Sequence, residues 1–145
     1  MESLSKEQVF SLLEFAQGLY EPILGNSVEL GTHLMGITDF FPAEVPGCIH
    51  NDLQKIGLLP DPYYDLNSLA CEWVSERWWN YQTTFIPPKK EGRIELVLEG
   101  VDYIARIYLN SKPLCRHEGM FEPCVVDITE LVKYGEENVL NVLLE

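Results

Sequence analysis

The stretch Trp78-Trp79-Asn80-Tyr81-Gln82-Thr83-Thr84-Phe85-Ile86-Pro87-Pro88 decides the class of fold. Trp79, Tyr81, Thr83 and Phe85 alternate with Asn80, Gln82 and Thr84, a period of two that gives a strand two different faces. The prolines end it, because neither has an N–H to offer a ladder. The same period recurs downstream. Ile94, Leu96 and Leu98 alternate around Glu95 and stop at Gly100. Tyr103, Ala105, Ile107 and Leu109 form the next inward row, closed by a turn at Asn110-Ser111-Lys112-Pro113. Cys124, Val126 and Ile128 supply another row. A single helical turn is expected from Thr129 to Tyr134 before Gly135, and a last strand over Val139 to Leu144. Strands spaced about ten residues apart with turns between them predict a mainly β, antiparallel sandwich. The last strand reaches Glu145 with no closing turn, so the expectation is an unpaired edge and a sandwich incomplete at its C-terminal end.

Upstream the period differs. Ser5 and Gln8 have capping-box spacing, and Val9, Leu12, Leu13, Ala16, Leu19 and Tyr20 repeat as on a helix, which predicts an N-terminal helix over 5–20. From Pro22 to about Asp65 glycines and prolines predict loops. A weaker extended stretch covers Ser27 to Met35. A second short helix carries Ile49, Leu53 and Ile56 on one face and stops at Gly57. The chain thus divides into a helical and loop-rich lead-in, 1–42, and a sandwich, 43–145.

A length of 145 residues suits one domain, and 46% hydrophobic residues suffice for a packed core. The net charge of −13 repels phosphate backbones and anionic lipid, so no nucleic acid and no membrane partner is expected. No basic, apolar leader opens the sequence and no Asn-x-Ser/Thr sequon occurs, which predicts a cytoplasmic protein. Cys48, Cys71, Cys115 and Cys124 lie far apart, and are expected as buried thiols. Three scattered histidines and these cysteines form no metal pattern, and no cofactor motif is present.

A run of ordered motifs resembles the opening of β-mannosidases in glycoside hydrolase family 2. It begins Val45-Pro46-Gly47-Cys48-Ile49-His50-Asn51-Asp52-Leu53, then Gly57-Leu58-Leu59-Pro60-Asp61-Pro62-Tyr63-Tyr64. The Trp78 to Phe85 strand follows, then Glu99-Gly100-Val101-Asp102, Tyr108-Leu109-Asn110 and His117 with Met120-Phe121 and Pro123. Asp127-Ile128-Thr129 with Leu131, and Gly135 with Asn138, Leu140 and Val142, complete it. The resemblance covers about 43–145 and implies a jelly-roll, galactose-binding-like accessory domain. Such a domain packs on a catalytic barrel and shapes its pocket for terminal β-mannosyl or related residues. A segment of Leu-x-Gly-x-Trp type before residue 43 and a closing Trp-Asp-Trp-Gly motif, both found in the family, have no counterpart here, and 110–111 reads Asn-Ser where the family has Asn-Gly. No position corresponds to the family's acid/base and nucleophile glutamates, so no catalytic residue is assigned.

Four residues remain as candidate sugar or interdomain contacts. Trp78 faces away from the core-directed row of Trp79 and Tyr81, and an aromatic ring matches the apolar face of a pyranose. Asp61 sits on a loop pinned by Pro60 and Pro62, where its alternative role is to cap its own turn. Tyr63 adjoins it, with Tyr64 beside it. His117 follows a strand and reads either as a contact or as a structural histidine. The implied partners are a carbohydrate of β-mannoside type, reached through the parent enzyme, and that enzyme's catalytic barrel. The alternative is a stand-alone lectin-like module without enzymatic activity.

Overall fold

The computed structural model describes residues 7–12, 37–87 and 92–145, with side chains from Phe41 onward. The described residues form eight strands: β1 (Glu7–Leu12), β2 (Ile37–Ala43), β3 (Trp79–Phe85), β4 (Glu95–Leu98), β5 (Ile104–Leu109), β6 (Lys112–Glu118), β7 (Cys124–Asp127) and β8 (Asn138–Leu144). Six form one antiparallel sheet in the order β2-β1-β3-β8-β5-β6, and β4 pairs with β7 in a second. The expected antiparallel sandwich is present.

Register assigns the faces. Thr83, Tyr81 and Trp79 pair with Leu140, Val142 and Leu144, which in turn pair with Leu109, Ile107 and Ala105. This inner face meets Leu96, Leu98, Cys124 and Val126 of the small sheet in a core centred on Ala105, Ile107 and Leu140. Ile128 and Val132, from the turn after β7, extend that core against Leu109. Tyr103, expected in the inward row, is exposed instead, because it lies one residue before β5 begins.

A helical lobe completes the second layer. Helix α1 (Ile49–Lys55) buries Leu53 completely. Its end is a Schellman motif: Gly57 takes φ +76°, its N–H bonds the Gln54 carbonyl, and Leu58 N–H bonds the Leu53 carbonyl. Helix α2 (Asn67–Cys71) and a 3-10 turn (Glu72–Val74) follow. Leu53, Leu59, Cys71 and Val74 enclose Trp79, and Trp73 and Phe41 pack on its ring at 6.0 and 6.3 Å between centroids. The Trp79 Nε1–H donates to the Val74 carbonyl at 2.9 Å, so this core aromatic is also satisfied.

Three expectations are corrected. Residues 7–12 of the expected N-terminal helix form strand β1, which pairs with β2 on one side and β3 on the other. Two partner ladders satisfy its backbone, and tertiary pairing of this kind overrides a local helical period. Residues 13–20 of that helix, and the weak extended stretch 27–35, lie outside the described residues. Strand β2 falls where loops were expected, and it contains Pro42. As an edge strand it tolerates a residue without an N–H. The last strand, expected as an unpaired edge, runs inside the sheet between β3 and β5.

The β5–β6 hairpin turns on two residues, Asn110 and Ser111, both at positive φ (51° and 67°), a type I′ turn whose twist matches the flanking strands. Amide chemistry fixes this turn to the approach of β8. Asn138, fully buried, accepts from Lys133 N–H and Asn110 Nδ2 at 2.8 Å each. Its own Nδ2 donates to the Lys133 and Glu136 carbonyls at 2.9 and 3.0 Å. Asn110 Oδ1 accepts the Val139 N–H at 3.0 Å.

Candidate functional site

The loop from α1 to α2 is held by its own polar groups. Asp61 Oδ1 accepts the Tyr63 N–H at 2.9 Å, and the Asp61 carbonyl accepts from Asn67 Nδ2 at 2.9 Å. Gln54 Nε2 donates to the Pro60 carbonyl at 3.2 Å. Asp61 therefore shapes a turn with its carboxylate. A loop fixed in this way presents rather than hides its side chains. Tyr63 is 96% exposed, and Leu58, Tyr64, Leu66 and Leu69 are exposed as well. Five large apolar or aromatic residues within 58–69 open to solvent make a surface fit for docking, while the same lobe's inward side is a packed core.

The four sequence candidates do not converge. Asp61 and Tyr63 lie on the helical lobe. Trp78 precedes β3, and the Arg106 guanidinium carbon stands 5.5 Å from its ring centre. Arg106 pairs with Leu143, which pairs with Asn80, so Trp78 meets the outer face of the large sheet. Arg106 also forms an ion pair with Glu145. His117 lies across from Ala105 on the inner side of β6, and its Nε2 shares a hydrogen bond with the Gly119 carbonyl at 2.7 Å. Between β3 and β6 lie β8 and β5, which puts about 14 Å of sheet between Trp78 and His117 as well as opposite faces.

The outer face carries an amide group that was not foreseen. Asn141 Oδ1 accepts from Asn80 Nδ2 at 3.1 Å and from Gln82 Nε2 at 3.2 Å. Asn80 and Asn141 are buried, although alternation alone assigns them to a polar face. The exposed leucines of the lobe also went unread. Leu66 and Leu69 at helical spacing were their only signal, and core residues give the same one.

Asp127 is held below the usual carboxylate range by hydrogen bonds from the Thr129 hydroxyl and N–H, with Arg93 adding attraction. That carboxylate, exposed and committed to a turn, is not poised to give up a proton near neutrality. Asp52 is buried with Oδ1 3.6 Å from Lys55 Nζ, and its Oδ2 has no hydrogen-bond partner. Among the described residues no three His, Cys, Asp or Glu side chains gather as a metal site. The cysteines are not uniformly buried as expected: Cys48, the N-cap of α1, is exposed, and Cys115, which packs on the core from the edge strand β6, is half-buried. Among the described residues, the arrangement presents an apolar surface on a loop held by its own hydrogen bonds.

Residues 27–145 match the family described as glycosyl hydrolase 2 galactose-binding domain-like. The β-mannosidase of Rattus norvegicus is 38% identical over 95 residues, 63% of this chain and 11% of that protein. β-Mannosidase B of Thermothelomyces thermophilus is 38% identical over 105 residues, 70% of this chain and 12% of that protein. Among solved structures, the β-D-mannosidase of Dictyoglomus thermophilum superposes with a TM-score of 0.74 at 30% identity, covering 97% of this chain and 15% of that one. The chain thus spans about a tenth to a seventh of the length of these relatives.

Proposed function

The chain belongs to the glycosyl hydrolase 2 galactose-binding-like domain family, and from that premise we propose that it is an accessory domain of a β-mannosidase-type hydrolase. In this reading it packs on a catalytic barrel and shapes the wall of a pocket for terminal β-mannosyl or related residues. Carbohydrate is its substrate only through that parent enzyme, which cleaves a β-glycosidic bond. The observation that carries the reading is the lobe surface of Leu58, Tyr63, Tyr64, Leu66 and Leu69. Each such side chain gains about 1.5–3 kcal/mol when a partner removes it from water, and a rigid loop orders little further on docking.

The alternative, a lectin-like module acting alone, needs a concave polar site with a stacking ring. The four candidates, spread over the lobe and both faces of the large sheet, disfavour it.

One experiment separates the two. The chain is mixed with the Dictyoglomus thermophilum β-mannosidase from which the equivalent domain has been deleted, and titrated in parallel with β-1,4-mannobiose. The expected result is a complex weakened at least tenfold by Tyr63→Ser with Leu66→Ser, and no heat with the sugar. Saturable sugar binding without a complex would replace this reading with the lectin one.

A further inference from the structure

The two sheets of the sandwich meet at a pair of thiols that no hydrolase function uses. Cys115 lies on β6 of the large sheet and Cys124 on β7 of the small one, and their Sγ atoms stand 3.3 Å apart. Cys124 is buried and Cys115 is half-buried. Between them the chain turns through Gly119, at φ +125°, and presents Phe121, which is 91% exposed.

We propose that Cys115 and Cys124 are an oxidisable dithiol whose disulfide ties the two sheets and pins the base of the loop bearing Phe121. The neighbouring thiols are already in contact, and closing 3.3 Å to a bond asks for a movement of about 1.3 Å shared by two side chains. The oxidant is a peroxide. The more open sulfur, Cys115, attacks a peroxide oxygen and becomes a sulfenic acid as hydroxide leaves and takes up a proton to give water. Cys124 then attacks the Cys115 sulfur. The S–S bond forms, the S–O bond breaks, and a second water departs, so two thiols and one hydrogen peroxide give one disulfide and two waters. The buried thiol cannot be reached first, so the order of attack follows from exposure.

The chemistry is slow at neutral pH. Burial above all, and then the hydrogen bond with Cys124, push the Cys115 thiol up to about 12, and only the thiolate attacks. The rate therefore climbs about tenfold per pH unit through the neutral and mildly alkaline range. Such a pair acts as a staple that accumulates under sustained oxidation, not as a fast sensor.

The test uses the full chain carrying Cys48→Ser. That change removes the exposed thiol and leaves a residue suited to the N-cap of α1. After hydrogen peroxide treatment, peptide mapping without reductant is expected to join the Cys115 and Cys124 peptides, two hydrogens lighter than the separate pair. The linked chain should melt about 5–10 °C higher, as expected for closing a loop of about ten residues, and dithiothreitol should reverse the shift. In Cys124→Ser the Cys115 sulfur has no partner and should proceed to sulfinic acid with no gain in melting temperature. A linkage to Cys71 would overturn the proposal. So would sulfinic acid at Cys115 beside a free Cys124, or a linked chain that melts no higher. If Cys124→Ser does not fold, the map of the Cys48→Ser chain still decides.

Discussion

Replacing Asn138 by alanine removes four hydrogen bonds at a site with no water access. At about 1 kcal/mol per neutral bond the upper figure is about 4 kcal/mol. Lys133 and Glu136 are exposed residues, so part of their freed backbone can hydrate, whereas Asn110 Nδ2 loses a buried acceptor. The expected loss is therefore about 2–4 kcal/mol, or about 6–12 °C in melting temperature for a chain of this size. Circular dichroism melts of the wild type and Asn138→Ala at equal concentration read it directly. Asn110→Ala removes the bond the two amides share, so the double variant should lose less than the sum of the singles. A fall of less than about 2 °C for Asn138→Ala, or strict additivity, would refute the view that this clasp holds the β5–β6 turn to β8.

Leu53→Ala should cost about 2–5 kcal/mol, because Leu53 has no exposed surface and centres the lobe core; urea unfolding measures it. Ser111→Gly should raise stability by about 0.5–1 kcal/mol in the same assay, since φ 67° strains a residue with a Cβ and suits glycine. Asp127 titrates below its ordinary value of 3.8, so its contribution is present above that pH and is lost as pH falls through the lower folded value. Asp127→Asn should flatten the acid limb of melting temperature against pH below about pH 5, and an unchanged acid limb would count against the Thr129 bonds as the cause.

Much of the sandwich was legible because its strands carry one apolar face. The rows Trp79-Tyr81-Phe85, Ala105-Ile107-Leu109 and Leu140-Val142-Leu144 show in composition what register confirms in space. The Gly57 stop and the first half of the expected 110–113 turn, Asn110-Ser111, were legible because each needs a backbone conformation that few residues adopt, whereas Lys112 and Pro113 of that turn already belong to β6. Strand β1 was not. Six residues hold too few periods to separate 3.6 from 2, and two neighbouring ladders decide the matter. Pro42 hid β2 for a related reason: whether a strand is an edge is a property of the sheet, not of the segment. In the candidate site, Pro60 and Pro62 marked Asp61 and Tyr63 as loop residues, and the loop joins α1 to α2. The splitting of Trp78 and His117 between faces depends on strand order, which local sequence does not encode.

The position of β8 also bears on how the molecule is assembled. Among the described residues, the ladders β2-β1-β3 and β5-β6 are two half-sheets joined through β8. Its partners on β3 lie more than fifty residues away along the chain, so the halves join only after a large loop closes. Folding should be slow for the chain's size and late in its cooperativity, with hairpin β5–β6 formed early and β3 waiting. Until β8 inserts, β3 and β5 each expose an unpaired rim, and in that interval the chain is most open to pairing with another molecule of itself.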